Sequence, residues 1–480
     1  MQSPLDAAFD PEAFRILGRQ VVDLLADRLS SSLRGEGKVR PATGPEAEYQ
    51  HWKTLMESGT GAAFPFLEEF VARAIYLHHP RYVGHQVCPP APTAALAGLV
   101  AELLNNGMAV YEMGPSATAL ERWIIEQTAH KIGFEKGAGF LTSGGTLAML
   151  TALLGARARK LGSDSVRAGT EPRWAVITSE EAHYCAGRAV HVMGWGSDGL
   201  LRIPVDSRFR IRTDLLDQAH EDAVARGRTP VALVGSACTT STGSYDDLHA
   251  LADFCQRRGL WFHVDGAHGA AVAFCEELRP RIAGIERADS VILDFHKLLL
   301  TPALATAVLF RDPACSWAAF EQRAQYLWEA SHRDEWFNVG RRSFECTKLS
   351  MSLKIAALWH AHGEELFAEN LRRVHASAAV FATLIAQDPR FDLATDPQSN
   401  IVCFRLRTPD LSDARADSLH RSIRTEILEE GGFYLVQTEL HARVWLRTAL
   451  MNPFTKEADL RALLERVVQS ATALQNKASA

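Results

Sequence analysis

The chain reads as an α/β protein: a mostly parallel sheet covered by helices on both faces, followed by a smaller C-terminal α+β domain. Three observations predict this. From about Pro89 to Pro313, short apolar strands alternate with helical stretches. Those strands are nearly continuous in apolar residues, as strands buried on both faces must be. Past Ser350 the pattern changes to long helices followed by short paired strands.

Taken in order, the first element is a helix. Phe14, Leu17, Val21, Leu24, Leu25 and Leu29 recur at i, i+3, i+4 spacing, and Asp10-Pro11 supplies an N-cap with proline at the first helical position. Gly35 to Pro45 is a connector, and a second helix is expected over about Phe66–Leu77, ending at His79-Pro80. Neither makes a core of its own, so residues 1–88 are expected to form an arm that packs on another domain or subunit. In the large domain, placed at 89–345, strands are expected at Trp174–Thr178, Leu201–Val205, Val231–Ala237, Leu260–Val264, Ser290–Asp294 and Thr306–Phe310. Helices fall between them at Leu147–Lys160, Arg212–Arg226 and Leu248–Arg258. The small domain, placed at 346–480, takes helices at Ser350–His360, Glu364–Ile385, Leu411–Glu429 and Lys456–Leu474, and strands at Asn400–Leu406, Phe433–Thr438 and Val444–Leu450.

Bulk properties exclude several classes. A chain of 480 residues suits two or three domains, and 47% hydrophobic with 22% charged residues is ordinary for a globular enzyme. The net charge of −6 comes from 51 basic and 57 acidic residues without a long single-sign run, which leaves no footprint for nucleic acid or an anionic membrane. Eight scattered cysteines include no Cys-x-x-Cys pair. Met1 to Asp10 lacks a basic and apolar leader, and no apolar stretch is long enough to span a membrane. The expected compartment is the cytoplasm.

The chemistry centres on Lys297, at the end of the apolar run Val291–Leu293 and 32 positions after Asp265. A lysine at a strand end can form a Schiff base with an aldehyde cofactor, and a carboxylate at a neighbouring strand end can hold a pyridinium nitrogen protonated. Apolar neighbours Leu298, Leu299 and Leu300 should desolvate the ammonium and lower its pKa. Ser143-Gly144-Gly145-Thr146 precedes a helix and can present N–H groups to a phosphate. His183, after the strand at Trp174–Thr178, is placed to stack on a ring, and Thr239, Thr240 and Ser241 are loop hydroxyls near the next strand end. Together these point to pyridoxal 5′-phosphate (PLP) acting on an amino acid. The pairs His263/His268 and His360/His362 and the trio His78/His79/His85 offer no complete metal-ligand frame, so no metal is expected. Neither a Gly-x-Ser-x-Gly elbow nor a Walker-type loop is present.

The motifs His79-Pro80-Arg81-Tyr82, Tyr111-Glu112-Met113-Gly114-Pro115 with Glu121, Thr142–Thr146, Ala182-His183, Thr239-Thr240, His263-Val264-Asp265, His296-Lys297, and Arg447 with Asn452-Pro453 follow one another in order. In this the chain resembles the group II PLP-dependent amino acid decarboxylases, which act on glutamate, cysteine sulfinate, aromatic amino acids or 2,4-diaminobutyrate. The resemblance implies the aspartate-aminotransferase fold (fold type I) and a homodimer with its active site at the subunit interface. It implies that Lys297 carries the cofactor, His183 stacks on it, Asp265 pairs its ring nitrogen and Ala267 lies beneath the ring. Gly145, Thr146 and His296 would hold the phosphate. Arg447 would take the substrate α-carboxylate, and His85 would line the substrate pocket.

One departure stands out. The family places a catalytic tyrosine on a loop, to protonate the substrate carbon after CO₂ leaves. The corresponding stretch here, Glu329 to Gly340, has none, and Tyr326 lies upstream. His332 is the expected substitute, since histidine is a competent acid near neutral pH. The expected reaction is decarboxylation of an L-amino acid to an amine. Tyr111–Pro115 favours a small acidic substrate, and Asp294–Leu300 favours 2,4-diaminobutyrate. Rival readings are an aromatic substrate, an oxidative, aldehyde-forming reaction, and a non-catalytic dimeric scaffold.

Overall fold

The computed structural model describes residues 3–41, 43–162, 173–320 and 336–479. They divide into two compact units. A central unit comprises Gln86–Ala379 and Thr395–Val402; a terminal unit comprises Met1–His85, Val380–Ala394 and Cys403–Ala480.

The central unit is built on seven strands: β1 (Ala138–Thr142), β2 (Trp174–Ser179), β3 (Leu200–Ile203), β4 (Thr229–Ser236), β5 (Trp261–Asp265), β6 (Ser290–Asp294) and β7 (Thr306–Phe310), in the order β1-β7-β6-β5-β4-β2-β3. β3, β2, β4, β5 and β6 run parallel, and β7 is antiparallel to both of its neighbours. Apolar residues fill both faces: Phe140, Val176, Val234, Ile292 and Val308 pack with Met149, Leu153 and Trp195 in one buried cluster. The register sets Ser236 opposite Asp265 and Asp294 opposite Thr306. The carboxyl ends of β4, β5 and β6 therefore open on one edge of the sheet, where ligands of such sheets bind.

The predicted strands fall where expected, two of them residue for residue (β6 and β7). β1 was not expected. Its sequence, Ala-Gly-Phe-Leu-Thr, is weakly β-forming, and Gly139 is there because a Cβ would come within 2.0 Å of the Val308 carbonyl oxygen. The predicted helix over Arg212–Arg226 is a 3₁₀ turn (Thr213–Leu215) running into Leu216–Ala225. Helices at Pro45–Glu57, Pro92–Leu104 and Pro115–Lys131 escaped notice, although each starts on proline.

A buried ion pair finishes the β1 edge. Lys348 Nζ lies 2.6 Å from Glu121 Oε1, with side chains 1% and 3% exposed. Leu141, in β1, donates its N–H to Glu121 Oε1 (3.1 Å), and its carbonyl accepts from Lys348 (2.5 Å). Removing one partner leaves an uncompensated buried charge, so Glu121→Ala is expected to cost about 3–5 kcal/mol. Glu121→Leu with Lys348→Met removes both charges together but leaves the buried Leu141 N–H and carbonyl without partners, so it should still cost about 1–3 kcal/mol per unmet group. Denaturant unfolding of the single and double variants checks both values.

Buried histidines give the central unit an acid-sensitive stability. Burial pushes His375 down to about 4, and its Nδ1 lies 2.8 Å from the Leu371 carbonyl oxygen. The folded protein keeps this ring neutral while the unfolded chain takes up a proton near pH 6.5, so stability is full above that pH and falls on acidification towards about 4. The loss is about 3 kcal/mol from this one group. His263, pushed down to about 3 by burial, acts in the same sense. Burial raises the Asp246 carboxyl to about 6, which opposes the trend over the same range. A His375→Gln variant should therefore show a flatter decline of Tm between about pH 6.5 and 4 than the parent.

In the terminal unit, Pro11–Leu33 is the predicted first helix, and the Asp10 carboxylate accepts from the N–H groups of Glu12 (2.8 Å) and Ala13 (3.4 Å). The second predicted helix spans Ala63–Arg73 and stops short of Leu77. The C-terminal part folds a four-stranded sheet in the order β10-β11-β9-β8, made of β8 (Phe391–Leu393), β9 (Ile401–Leu406), β10 (Val436–Leu440) and β11 (Arg443–Ala449). β8 is an addition to the three strands expected. No helix among the described residues is long and apolar enough to cross a membrane.

Candidate active site

The carboxyl edge of the central sheet encloses a cavity of about 180 Å³. Each lining group arrives by the same route, a strand ending and a short turn following. β6 ends at Asp294, and the turn after it carries His296 and Lys297. Lys297 Nζ is 2.8 Å from Asp294 Oδ2, and His296 Nε2 is 3.6 Å from the same oxygen. Thr306, across on β7, donates its hydroxyl to Asp294 Oδ1 (2.6 Å). Asp294 is 2% exposed and Lys297 22%. Burial by itself would lower the Lys297 pKa, as the sequence suggests. The net shift is upward, because the carboxylates of Asp294 and Asp265 outweigh it.

β5 ends at Asp265, whose Oδ1 accepts from the Ala267 N–H (3.2 Å). Burial raises this carboxyl against the opposing pull of Lys297 and His183. After β2, His183 Nδ1 accepts from the Cys185 N–H (3.3 Å), which leaves the ring hydrogen on Nε2. Burial lowers the His183 pKa, and Asp265 offsets part of that. After β4, Thr239 reaches the cavity wall, but its hydroxyl is tied into its own loop by Ser244 N–H (3.0 Å) and Thr242 Oγ1 (3.0 Å). After β1, Gly144 takes φ 135°, a conformation reserved for glycine, and starts the helix Gly145–Leu161 without a side-chain cap. The first amides of that helix are thus left to whatever the cavity holds. The cavity wall brings together Lys297, Asp265, His183, Ala267, Gly145, Thr146, Thr239, Thr240 and His296, nine of the residues singled out from sequence.

Residues 78–407 match the pyridoxal-dependent decarboxylase conserved domain. The chain belongs to that family. This PLP-dependent amino acid decarboxylase is 30% identical over 436 residues to L-2,4-diaminobutyrate decarboxylase from Rhizobium meliloti strain 1021, covering 88% of this chain and 84% of that one. It is 27% identical over 476 residues to cysteine sulfinic acid decarboxylase from Mus musculus, covering 95% and 96%. The crystal structure of mouse CSAD superposes with a TM-score of 0.88 at 25% identity, over 96% of this chain and 99% of that one. The fold expected from the resemblance is the one found.

The decarboxylase offers a donor set that fits its cofactor: an amine for the aldehyde, a carboxylate for the ring nitrogen, and uncapped helix-start amides for the phosphate. Gly145 lies on the cavity side of that helix start: a Cβ there would come into ordinary contact with Asp294 Oδ1 (3.5 Å) and the Ala267 methyl (3.7 Å). Sequence reasoning passed over Asp294, which reads as the last residue of a buried strand, and over Cys185, Ser236, Cys238, His268 and Ile292, which also line the cavity. A carboxylate three residues before the key lysine was the available signal. Arg447 and His85 belong to the terminal unit, where Arg447 is buried in β11 and its charge, together with burial, lowers the His85 pKa. His332 and Tyr326 lie outside the described residues. Among the described residues no group of three or more His, Cys, Asp or Glu is placed to hold a metal ion.

Proposed function

We propose that this decarboxylase removes the α-carboxylate of a small acidic L-amino acid as CO₂ and releases the corresponding amine. The observation that carries the reading is the convergence of Lys297, Asp265 and His183 on one cavity beside an uncapped helix start. PLP, when bound, supplies an electron sink for the pair left by the breaking Cα–carboxylate bond.

The chain's own groups do the rest. Lys297 would provide the attachment amine for the cofactor aldehyde and, when free, a group able to carry a proton. Asp265 keeps the cofactor ring nitrogen protonated by charge pairing. His183, with its hydrogen on Nε2, and the apolar Ala267 would hold the cofactor ring in the cavity they line. The helix-start amides of Gly145 and Thr146, with His296, would hold the phosphate by hydrogen bonds. Thr239 shapes the wall through its backbone and methyl group, because its hydroxyl is spent within its loop. His332 protonates Cα in place of the family's tyrosine, which makes an amine the product rather than an aldehyde.

The acidic substrate is supported by the Tyr111–Pro115 motif and by likeness to cysteine sulfinic acid decarboxylase over 95% of the chain, whereas Arg447 is read as the holder of the α-carboxylate that every amino acid carries. A guanidinium on a strand presents a fork suited to a carboxylate. A second reading, 2,4-diaminobutyrate, is favoured by the 30% identity to the Rhizobium enzyme. Supplying the common amino acids, cysteine sulfinate and 2,4-diaminobutyrate, and measuring CO₂ with amine, separates the two. Aldehyde with peroxide in place of amine would overturn the proposed reaction. Arg447→Met is expected to lower kcat/KM by about 10–100-fold, the loss of one charge-assisted pair. An unchanged value would remove Arg447 from the substrate site.

We further read the enzyme as a cytoplasmic homodimer. The helix Pro92–Leu104 exposes Leu96, Leu99, Val100, Leu103 and Leu104, each about half or more, on a spacing that makes one apolar stripe. A second copy is the natural cover, and sedimentation at micromolar concentration checks it: a monomer would refute the reading.

A further inference from the structure

Among the groups around the cavity, Asp294 has no part in the reading so far, yet it is the side chain in direct contact with the Lys297 amine. Its carboxylate is 2% exposed and fully engaged: Oδ1 accepts from the Thr306 hydroxyl at 2.6 Å, and Oδ2 stands 2.8 Å from Lys297 Nζ and 3.6 Å from His296 Nε2. A carboxylate buried to this degree is retained only with compensation. The Thr306 hydroxyl fixes one oxygen and so aims the other at the amine. β6 and β7 set Asp294 and Thr306 directly opposite in register, so the orientation is built into the sheet.

We infer that Asp294 is the proton-holding partner of the Lys297 nitrogen. When the nitrogen carries a proton, Asp294 is the anion that stabilises it. When the nitrogen must be neutral to attack a carbonyl carbon, the Nζ–H bond breaks, an Oδ2–H bond forms, and the ion pair becomes a neutral pair with no net charge change in the cavity. The transfer reverses along the same 2.8 Å contact. Other charged or titratable groups face this pair: Asp265 from the end of β5, His183 and Cys185 from the segment after β2, and His296 on the same turn. Of these, His296 stands 3.6 Å from the Asp294 carboxylate, and among the described residues Asp265 makes no ion pair with Lys297 within 4 Å. Burial opposes both charges, yet the Lys297 amine is shifted up and the Asp294 carboxyl down by their contact, so the ion pair is the resting state and the neutral pair the higher one reached when the nitrogen attacks.

The inference rests on Lys297 being the attachment lysine. The test follows the visible absorbance of the cofactor-loaded enzyme against pH, which reports the proton on the Lys297 nitrogen and does not require turnover. Asp294→Asn keeps the shape and can still accept from Thr306, but removes the charge. The midpoint is expected to fall by about 1–3 pH units, the usual effect of losing an opposite charge at contact distance. Thr306→Val, which frees the carboxylate without removing it, should shift the midpoint in the same direction by less, and serves if the first variant does not fold. A midpoint unmoved in the soluble variant overturns the inference. Borohydride reduction keeps the two claims apart. Should the label fall outside Lys297, the attachment reading fails; should it fall on Lys297 while Asp294→Asn leaves the midpoint in place, only the role of Asp294 fails.

Discussion

Lys297→Ala is expected to lower turnover by at least about 10⁴-fold, because it removes the covalent attachment point and the proton carrier together. Borohydride reduction of the parent enzyme should fix the cofactor to the peptide containing Lys297, and the variant should take up no such label. The substitution strands Asp294, which loses the ammonium 2.8 Å away and keeps only Thr306 and, more distantly, His296. That carboxyl will therefore bind a proton at higher pH in the variant. Labelling at a different lysine, or turnover near the parent rate, would contradict the assignment.

Asp265→Asn should be nearly as damaging by a different route. At an effective dielectric near 20, a contact pair between a carboxylate and a ring cation is worth about 4 kcal/mol, and its loss corresponds to about a 10³-fold fall in kcat. Cofactor binding should survive, since Lys297 and the helix start at Gly145 are untouched. Asp265→Glu should recover part of the rate if charge is what counts. A variant that binds PLP normally and retains most of kcat would show that the ring nitrogen needs no anionic partner here. Burial already raises the Asp265 carboxyl, so acid should remove the same contribution as pH falls through its folded value.

The parallel sheet was legible because buried strands of β-branched and aliphatic residues carry a signal that no loop imitates. Ser290–Asp294 and Thr306–Phe310 were recognisable to the residue for this reason. β1 was not, since its identity depends on a glycine that lets Val308 come close, a property of the partner strand rather than of its own composition. At the site, Lys297, Asp265, His183, Gly145 and Thr146 each follow a strand, and strand ends are where sequence patterns are sharpest. Asp294 was hidden by its own strand: a carboxylate closing an apolar run resembles a terminator until Thr306 and Lys297 are seen on either side of it. The direction of the Lys297 shift was misjudged for the same reason. Desolvation can be read from neighbouring leucines, whereas an ion pair three residues back needs the turn to be seen.

The Glu121–Lys348 clamp has a consequence for how the protein behaves when crowded. β1 is the outermost strand of the seven, and an unmet amide and carbonyl there would invite a foreign strand to dock. With Leu141 already satisfied on that side by two side chains, this position offers no free amide or carbonyl to a foreign strand. Breaking the clamp should therefore convert a folded enzyme into one that aggregates through its rim well before it unfolds.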